Sequence, residues 1–252
     1  MSSQKGVALG EWLLASVIGV IILMAALAWL SSSWQLALIQ RQALQTANAG
    51  QWALQRIRQR AEWAGFGDVH PLALDDARVS AWLSDNNRGL GKPVSDQLTI
   101  QYLVEKAVLD CEGTRVLAGQ ILIERYFVRA DSSTSGWVLA CDAGQCDANA
   151  CSRLGDAGLA LLADVESLQV LYGLAPSESL AGGYVDATVL RSMSPLPRVH
   201  SLRIGILLRG SDLLPRKRRW QAPDDWLGMN LGSMTDARAH RAMSQTLELP
   251  NG

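Results

Sequence analysis

Residues able to do chemistry are sparse in this sequence, and their spacing argues against catalysis. His70, His200 and His240 stand far apart, with no H-E-x-x-H, G-x-S-x-G or phosphate-binding glycine loop to accompany them. His200 opens an apparent strand and reads as an edge or core residue, not a base. Cys111, Cys141, Cys146 and Cys151 allow three disulfide pairings, and spacing alone leaves all three open. Joining Cys111 to Cys141 would link neighbouring strands, and joining Cys146 to Cys151 would close a small loop; this is the favoured pairing. There is no C-x-x-C, and Cys141-x4-Cys146-x4-Cys151 is not a usual zinc spacing, so oxidised cysteines in an exported domain are expected, and no metal. Asp142, Asp147 and Asp156 could hold Ca²⁺, but they do not fit an EF-hand loop and read as solvated loop acids. Arg216, Lys217, Arg218 and Arg219, beside Trp220, form the one basic run. Without a repeated aromatic ladder they read as a solvated loop, and direct nucleic-acid binding is not expected. No cofactor is implied.

The charged residue in the most unusual place is Glu11. It stands at the mouth of Trp12 to Leu30, where only Ser16 is polar. As a helix, those residues span about 28 Å, close to the hydrocarbon thickness of a bilayer. The run exceeds the apolar core of a cleaved secretory signal and continues straight into a helical pattern, so one membrane anchor is expected. A carboxylate costs roughly 2.5–3.5 kcal/mol at the centre of a membrane helix and less near its end. Glu11 therefore either rests at the interface, favoured by the helix dipole, or needs a cationic partner.

The element that positions Glu11 runs on. No Pro occurs before Pro71, so nothing forces a break. Leu36, Ile39, Ala43, Ala47, Gly50, Leu54, Ile57, Ala61 and Ala64 recur at intervals of three and four. Gln40, Arg41, Gln45, Gln51, Arg56 and Arg60 lie off that stripe. A continuous helix from Val7 to Ala64 would measure roughly 87 Å. Trp29 and Trp34 bracket the outer membrane boundary, and Gly65 follows as a C-cap signal. The organisation expected is a membrane half over 7–30, an amphipathic half over 31–66 and a globular domain over 67–252.

In that domain, 98–104, 120–130, 136–141, 166–174 and 200–209 alternate in the manner of strands, punctuated by glycines. Ala73 to Ser84 reads as a short helix. The tail from Pro215 reads as loops, with one or two helical turns near Ala237 to Ser244. No βαβ alternation appears, so the fold class is α+β, an antiparallel sheet packed on the outer half of the long helix. With 23 Lys+Arg against 24 Asp+Glu, a phosphate-binding surface over the whole molecule is excluded.

Lys5-Gly6-Val7-Ala8-Leu9-Gly10-Glu11 resembles the class III signal of type IV pilins and pseudopilins. The resemblance implies a leader over 1–6, cleavage between Gly6 and Val7 by a prepilin peptidase, N-methylation of Val7, and Glu11 as the fifth mature residue. Val7 and Ala8 replace the family's usual Phe and Thr, and Gly10 replaces a branched apolar residue. The runs Ala49 to Phe66, Ser95 to Ile100, Val165 to Gly173 and Val199 to Ser211 are similar to successive parts of PilW-type minor pilins. This implies a pilin-like fold and a non-enzymatic minor pilin that helps prime type IV pilus assembly for twitching motility, adhesion or DNA uptake. The implied partners are other minor pilins, the major pilin, a tip adhesin, the prepilin peptidase and the inner-membrane assembly platform. The implied location is the inner membrane, single-pass with the C-terminal domain in the periplasm, and then the pilus tip. A minor pseudopilin of type II secretion is the neighbouring reading. A signal-anchored periplasmic domain with an accidental Glu11 is the reading from another class.

Overall fold

The structure, a computed structural model, describes residues 5–72, 95–131, 136–146, 151–175, 183–211, 213, 218–221, 226–228 and 233–252. Ala73 to Ser84, expected to be a short helix, lies outside the described residues. Helix α1 covers Lys5–Ala61, and the chain divides into two compact units, Met1–Leu44 and Gln45–Gly252.

In the first unit every described side chain from Gly10 to Leu30 is exposed, including Trp12, Ile22 and Trp29. The most apolar 18-residue window of the helix has a mean hydropathy of 2.7, with none of it buried. The Ser16 hydroxyl donates to the Leu13 carbonyl at 2.8 Å, and Ser31, Ser32 and Ser33 donate to carbonyls of the preceding turn. Each hydroxyl is thus satisfied within the helix, which suits a surrounding that offers no water.

The second unit begins with the outer end of α1. Its strands are β1 (Gln97–Leu103), β2 (Val108–Leu109), β3 (Arg115–Val116), β4 (Ile121–Ala130), β5 (Trp137–Cys146), β6 (Cys151–Ser152) and β7 (Leu159–Ala163). There follow β8 (Val165–Leu174), β9 (Gly183–Val185), a short helix α2 (Ala187–Ser192), β10 (Val199–Arg209), β11 (Arg218–Gln221), β12 (Ser233–Asp236) and β13 (His240–Glu248). One antiparallel sheet runs β1-β4-β5-β6, with β7 also paired to β5, and a second runs β13-β10-β8-β9. Two ribbons, β2-β3 and β11-β12, stand apart from both. Where one sheet was expected there are two. The Ser95-Asp96 segment links them: Asp96 N donates to Leu168 O at 2.7 Å, and Val170 N donates to Asp96 Oδ2 at 2.9 Å.

The core forms where both sheets meet the buried stripe of α1. Ala53, Leu54, Ile57, Ala61 and Ala64 share one cluster with Leu98, Ile100, Leu122 and Tyr126 of the first sheet and Leu168, Tyr172, Ile204 and Ile206 of the second. Gly50 faces the second sheet so closely that a Cβ there would lie 2.6 Å from Met243 Sδ and 2.7 Å from Leu208 Cδ1. Gly65 takes a positive φ of 83° and meets the Asn251 backbone, so both conformation and space require glycine. Within this unit the stripe needs correction: Thr46 and Ala53, which the pattern omitted, are buried. Periodicity gives a direction around the helix, but it does not say where covering side chains begin.

The tail corrects a second expectation. Ala237 to Ser244 is not helical: from His240 onward the chain is strand β13, paired with β10 in a register that sets Leu247 opposite Leu202. HRAMSQTLE has a single β-branched residue, Thr246, to advertise a strand, and the open edge of β10 decides its conformation.

Candidate assembly site

Glu11 lies on α1 and is exposed, and no charged residue separates it from Arg41. Gly6 and Val7 fall in the first turns of the same helix. Val7 and Glu11 are four residues apart and therefore share a helix face about 6 Å apart along the axis. The long uncharged surface beyond Glu11 can bind apolar surroundings all round, whether acyl chains or other helices.

At the other end of α1 is a cluster the sequence did not reveal. Arg60, on the last turn, places Nε 3.6 Å from Glu124 Oε1. Its Nη1 donates to the Tyr102 hydroxyl at 3.2 Å, and its Nη2 donates to the Leu109 carbonyl at 2.6 Å. The Tyr126 hydroxyl donates to Glu124 Oε2 at 3.0 Å. Register explains the convergence: Ile100 sits opposite Glu124 and Leu98 opposite Tyr126, so Tyr102, Glu124 and Tyr126 share the sheet face that packs on the helix. Glu124 is fully buried, and burial raises its carboxyl above the ordinary range against the restraining effect of Arg60 and Tyr126. Burial alone would lower the Arg60 guanidinium, but Glu124, Tyr102 and Tyr126 outweigh it and leave Arg60 raised. Burial also lifts both tyrosines, with Glu124 adding to it, so they remain hydrogen-bonding phenols. The planar guanidinium spans three partners at once, which an ammonium cannot do. The arrangement is a clamp between α1 and the first sheet. The signal available in the sequence was Glu124 itself, a charge alternating in step with Leu122 and Tyr126.

Two disulfides brace the same sheet. Cys111 pairs with Cys141 across a sequence separation of 30, and Cys146 pairs with Cys151 across a separation of 5. Both engage β5. Asp142, expected to be a solvated loop acid, instead sits mid-strand on β5 and is fully buried. Its Oδ2 accepts from Arg125 Nη2 at 2.8 Å and from Gly155 N at 2.9 Å. Asp156 is exposed as expected, and Asp147 lies outside the described residues.

Among the described residues, the remaining candidates do not converge on a catalytic centre. Arg218 and Arg219, expected in a loop, belong to β11 and pair with Asp236 and Thr235 of β12; Arg216 and Lys217 lie outside the described residues. His200 is exposed on the central strand β10, neither edge nor core, and its Nδ1 is 2.7 Å from the Gly173 carbonyl oxygen. His240 is buried against Glu166 at 3.1 Å, and His70 Nδ1 lies 2.8 Å from the carbonyl oxygen of Leu72.

Comparison with known proteins agrees with this architecture. The family model described as PilW, type IV pilus-assembly protein W, matches residues 125–251, half of the chain. Among solved structures, a type IV-like pilin from Thermus thermophilus superposes with a TM-score of 0.51 at 14% identity, covering 81% of this chain and 97% of that one. At that identity the likeness is one of fold. No curated protein matches the chain.

Proposed function

The chain belongs to the type IV pilus-assembly protein W family, and from that membership we propose that it is a minor pilin, processed at Gly6-Val7, that helps prime pilus assembly. The observation that carries this reading is the uncharged, fully exposed run of α1 directly after Glu11 in a pilin-fold chain. Before assembly the run holds the subunit in the inner membrane, with the disulfide-braced domain in the periplasm. During assembly the same apolar surface exchanges lipid for the corresponding helices of other pilins, so no new surface need be exposed to water.

Cleavage after Gly6 frees the Val7 amine, cationic at neutral pH. Within one helix that amine is a turn away from Glu11; between subunits it can meet the Glu11 of a neighbour. Pairing offsets the burial of both charges, and removing one leaves the other unpaired among apolar helices. N-methylation of Val7 retains the charge and fits this role. The domain carries the identity of the subunit: it selects neighbouring minor pilins, the major pilin and a tip adhesin, while the peptidase and the inner-membrane assembly platform act on the helix.

Deletion of the gene tests the proposal. Loss of surface pili with protein secretion intact supports a pilus-priming subunit. Loss of secretion with normal piliation contradicts it and assigns the chain to type II secretion.

A further inference from the structure

Strand β13 is the outer strand of the second sheet, and among the described residues it pairs with β10 alone. Its nine residues keep register with β10 without a bulge and include no proline. The two ends of that ladder fix which backbone groups it uses. Leu249 N donates to His200 O at 2.8 Å, and Gly210 N donates to Ala239 O at 2.6 Å. In the intervening register it is therefore Arg241, Met243, Gln245 and Leu247 that bond to β10. Ala242, Ser244, Thr246 and Glu248 turn their N–H and C=O groups to the other side. Of these, Ser244, Thr246 and Glu248 are exposed and Ala242 is half-buried.

Such an edge is a template for a further strand, and proteins that keep one free interrupt it with a bulge, a proline or a charge. Between Arg241 and Glu248 none of these occurs. The two charges stand at the ends of the uncharged stretch instead. Both are exposed, and neither forms an ion pair among the described residues.

Those charges decide between a second copy of this chain and a different partner. Arg241 and Glu248 are an odd number of residues apart and so lie on opposite faces of the sheet. A strand that pairs antiparallel with its own copy does so about a twofold axis normal to the sheet. Each residue then stands opposite one from the same face. In every such register Arg241 misses the Glu248 of the copy, and both charges go unmatched. A different strand matches both when it sets a base opposite Glu248 and an acid opposite Arg241.

We propose that β13 is a docking edge for an antiparallel strand from a different protein chain. Read from its N-terminal end, that strand carries a Lys or Arg, an uncharged stretch, and an Asp or Glu placed to meet Arg241. Backbone bonds to Ala242, Ser244, Thr246 and Glu248 supply the pairing, and the two terminal charges select the partner and its register. Partner side chains on one face lie beside Met243 and Leu247, which suits apolar residues; on the other they lie beside Ser244 and Thr246, which suits hydroxyls. That the strand comes from a neighbouring subunit rests on the proposed assembly role. Binding of such a strand does not, so the two can fail separately.

The test uses the full chain in detergent micelles and the synthetic peptide Lys-Val-Thr-Val-Thr-Val-Thr-Glu, with the charge-swapped Glu-Val-Thr-Val-Thr-Val-Thr-Lys for comparison. Hydrogen exchange resolved to single amides is the readout. Without peptide, the amides of Ser244 and Thr246 should exchange at least about tenfold faster than those of Met243 and Gln245. With about 1 mM peptide they should slow at least about fivefold, and the swapped peptide should need about tenfold more for the same effect. Arg241→Glu combined with Glu248→Lys should reverse that preference, which general stickiness of an edge cannot do. Thr246→Pro removes one outward donor and no bond to β10, so Tm should stay within about 2 °C while protection by the peptide is lost. No slowing with either peptide overturns the proposal, as does equal slowing with both or an unreversed preference in the double variant. Slow outward amides in the chain alone that quicken on dilution also overturn it, by making a second copy the occupant.

Discussion

Arg60 on the last turn of α1 lies 3.6 Å from Glu124 in the middle of β4, and this contact pins the long helix to the first sheet. Glu124 is fully buried while the Arg60 side chain is 16% exposed, so the two are not equivalent. Removing the arginine strands a carboxylate in the core; removing the carboxylate leaves a cation that retains Tyr102 and Leu109 as partners. Arg60→Met should therefore destabilise the domain by about 3–5 kcal/mol, and Glu124→Gln by less. Adding Glu124→Gln to Arg60→Met should recover part of the loss. Urea unfolding of the full chain in detergent, analysed as a double-mutant cycle, measures this coupling.

The same carboxylate gives a pH dependence with a definite sign. Because burial raises Glu124 in the folded state, the folded protein holds that proton more tightly than the unfolded chain does. Stability contributed by this group should rise as pH falls through its folded value, and be complete below the ordinary glutamate range. Arg60, Arg56 and Tyr126 restrain the shift without reversing it. The stability difference between parent and Glu124→Gln, measured in denaturant at a series of pH values, should move in the parent's favour on acidification. A difference independent of pH would contradict the account of Glu124.

The Cys111–Cys141 bridge closes a long loop across the first sheet. In the chain-entropy model its removal by paired Cys→Ala substitution should cost roughly 3–4 kcal/mol, against roughly 2 kcal/mol for Cys146–Cys151. Denaturant midpoints of the two double variants, compared without reductant, check the ranking.

Gly50 tests the packing of the helix on the second sheet. A valine there meets Met243 and Leu208, and their displacement should cost about 1–3 kcal/mol despite the gain of a better helix former. Thermal unfolding of Gly50→Val should show a lower Tm.

The sequence made α1 legible because an uncharged run from Trp12 to Leu30 followed by a stripe ending in Ala61 and Ala64 has few other physical solutions. Strands β1, β4, β5, β8 and β10 were legible for a related reason, since branched and aromatic residues alternate along them. What local pattern could not supply was partner choice. Nothing within Val165 to Leu174 says that it pairs with β10 and not with β1, so two sheets read as one. His240 to Glu248 becomes a strand because β10 offers an edge, not because its residues demand it. Arg60 looked like a solvent-facing residue off the stripe, and Asp142 like a loop acid; elements distant in the chain half-bury the first and fully bury the second. Glu11 is the opposite case: its position in the sequence already states the problem of a carboxylate at an apolar surface.

That problem sets the predictions for assembly. Glu11→Ala should leave membrane insertion intact, because the apolar run is unchanged. Entry into the pilus beside other subunits should fall by about tenfold or more, equivalent to at least about 1.4 kcal/mol of lost association. Counting surface pili against membrane-fraction protein separates the two effects, and normal pilus numbers in the variant would remove Glu11 from the mechanism.

The most direct test is the mass of the mature N-terminus in protein purified from cells that make pili. A chain beginning at Val7 and carrying an N-methyl group is the predicted result, since it supplies the amine that Glu11 requires. A chain still beginning with the residues before Val7 would contradict the polymer-subunit account and leave a domain tethered by an uncleaved helix.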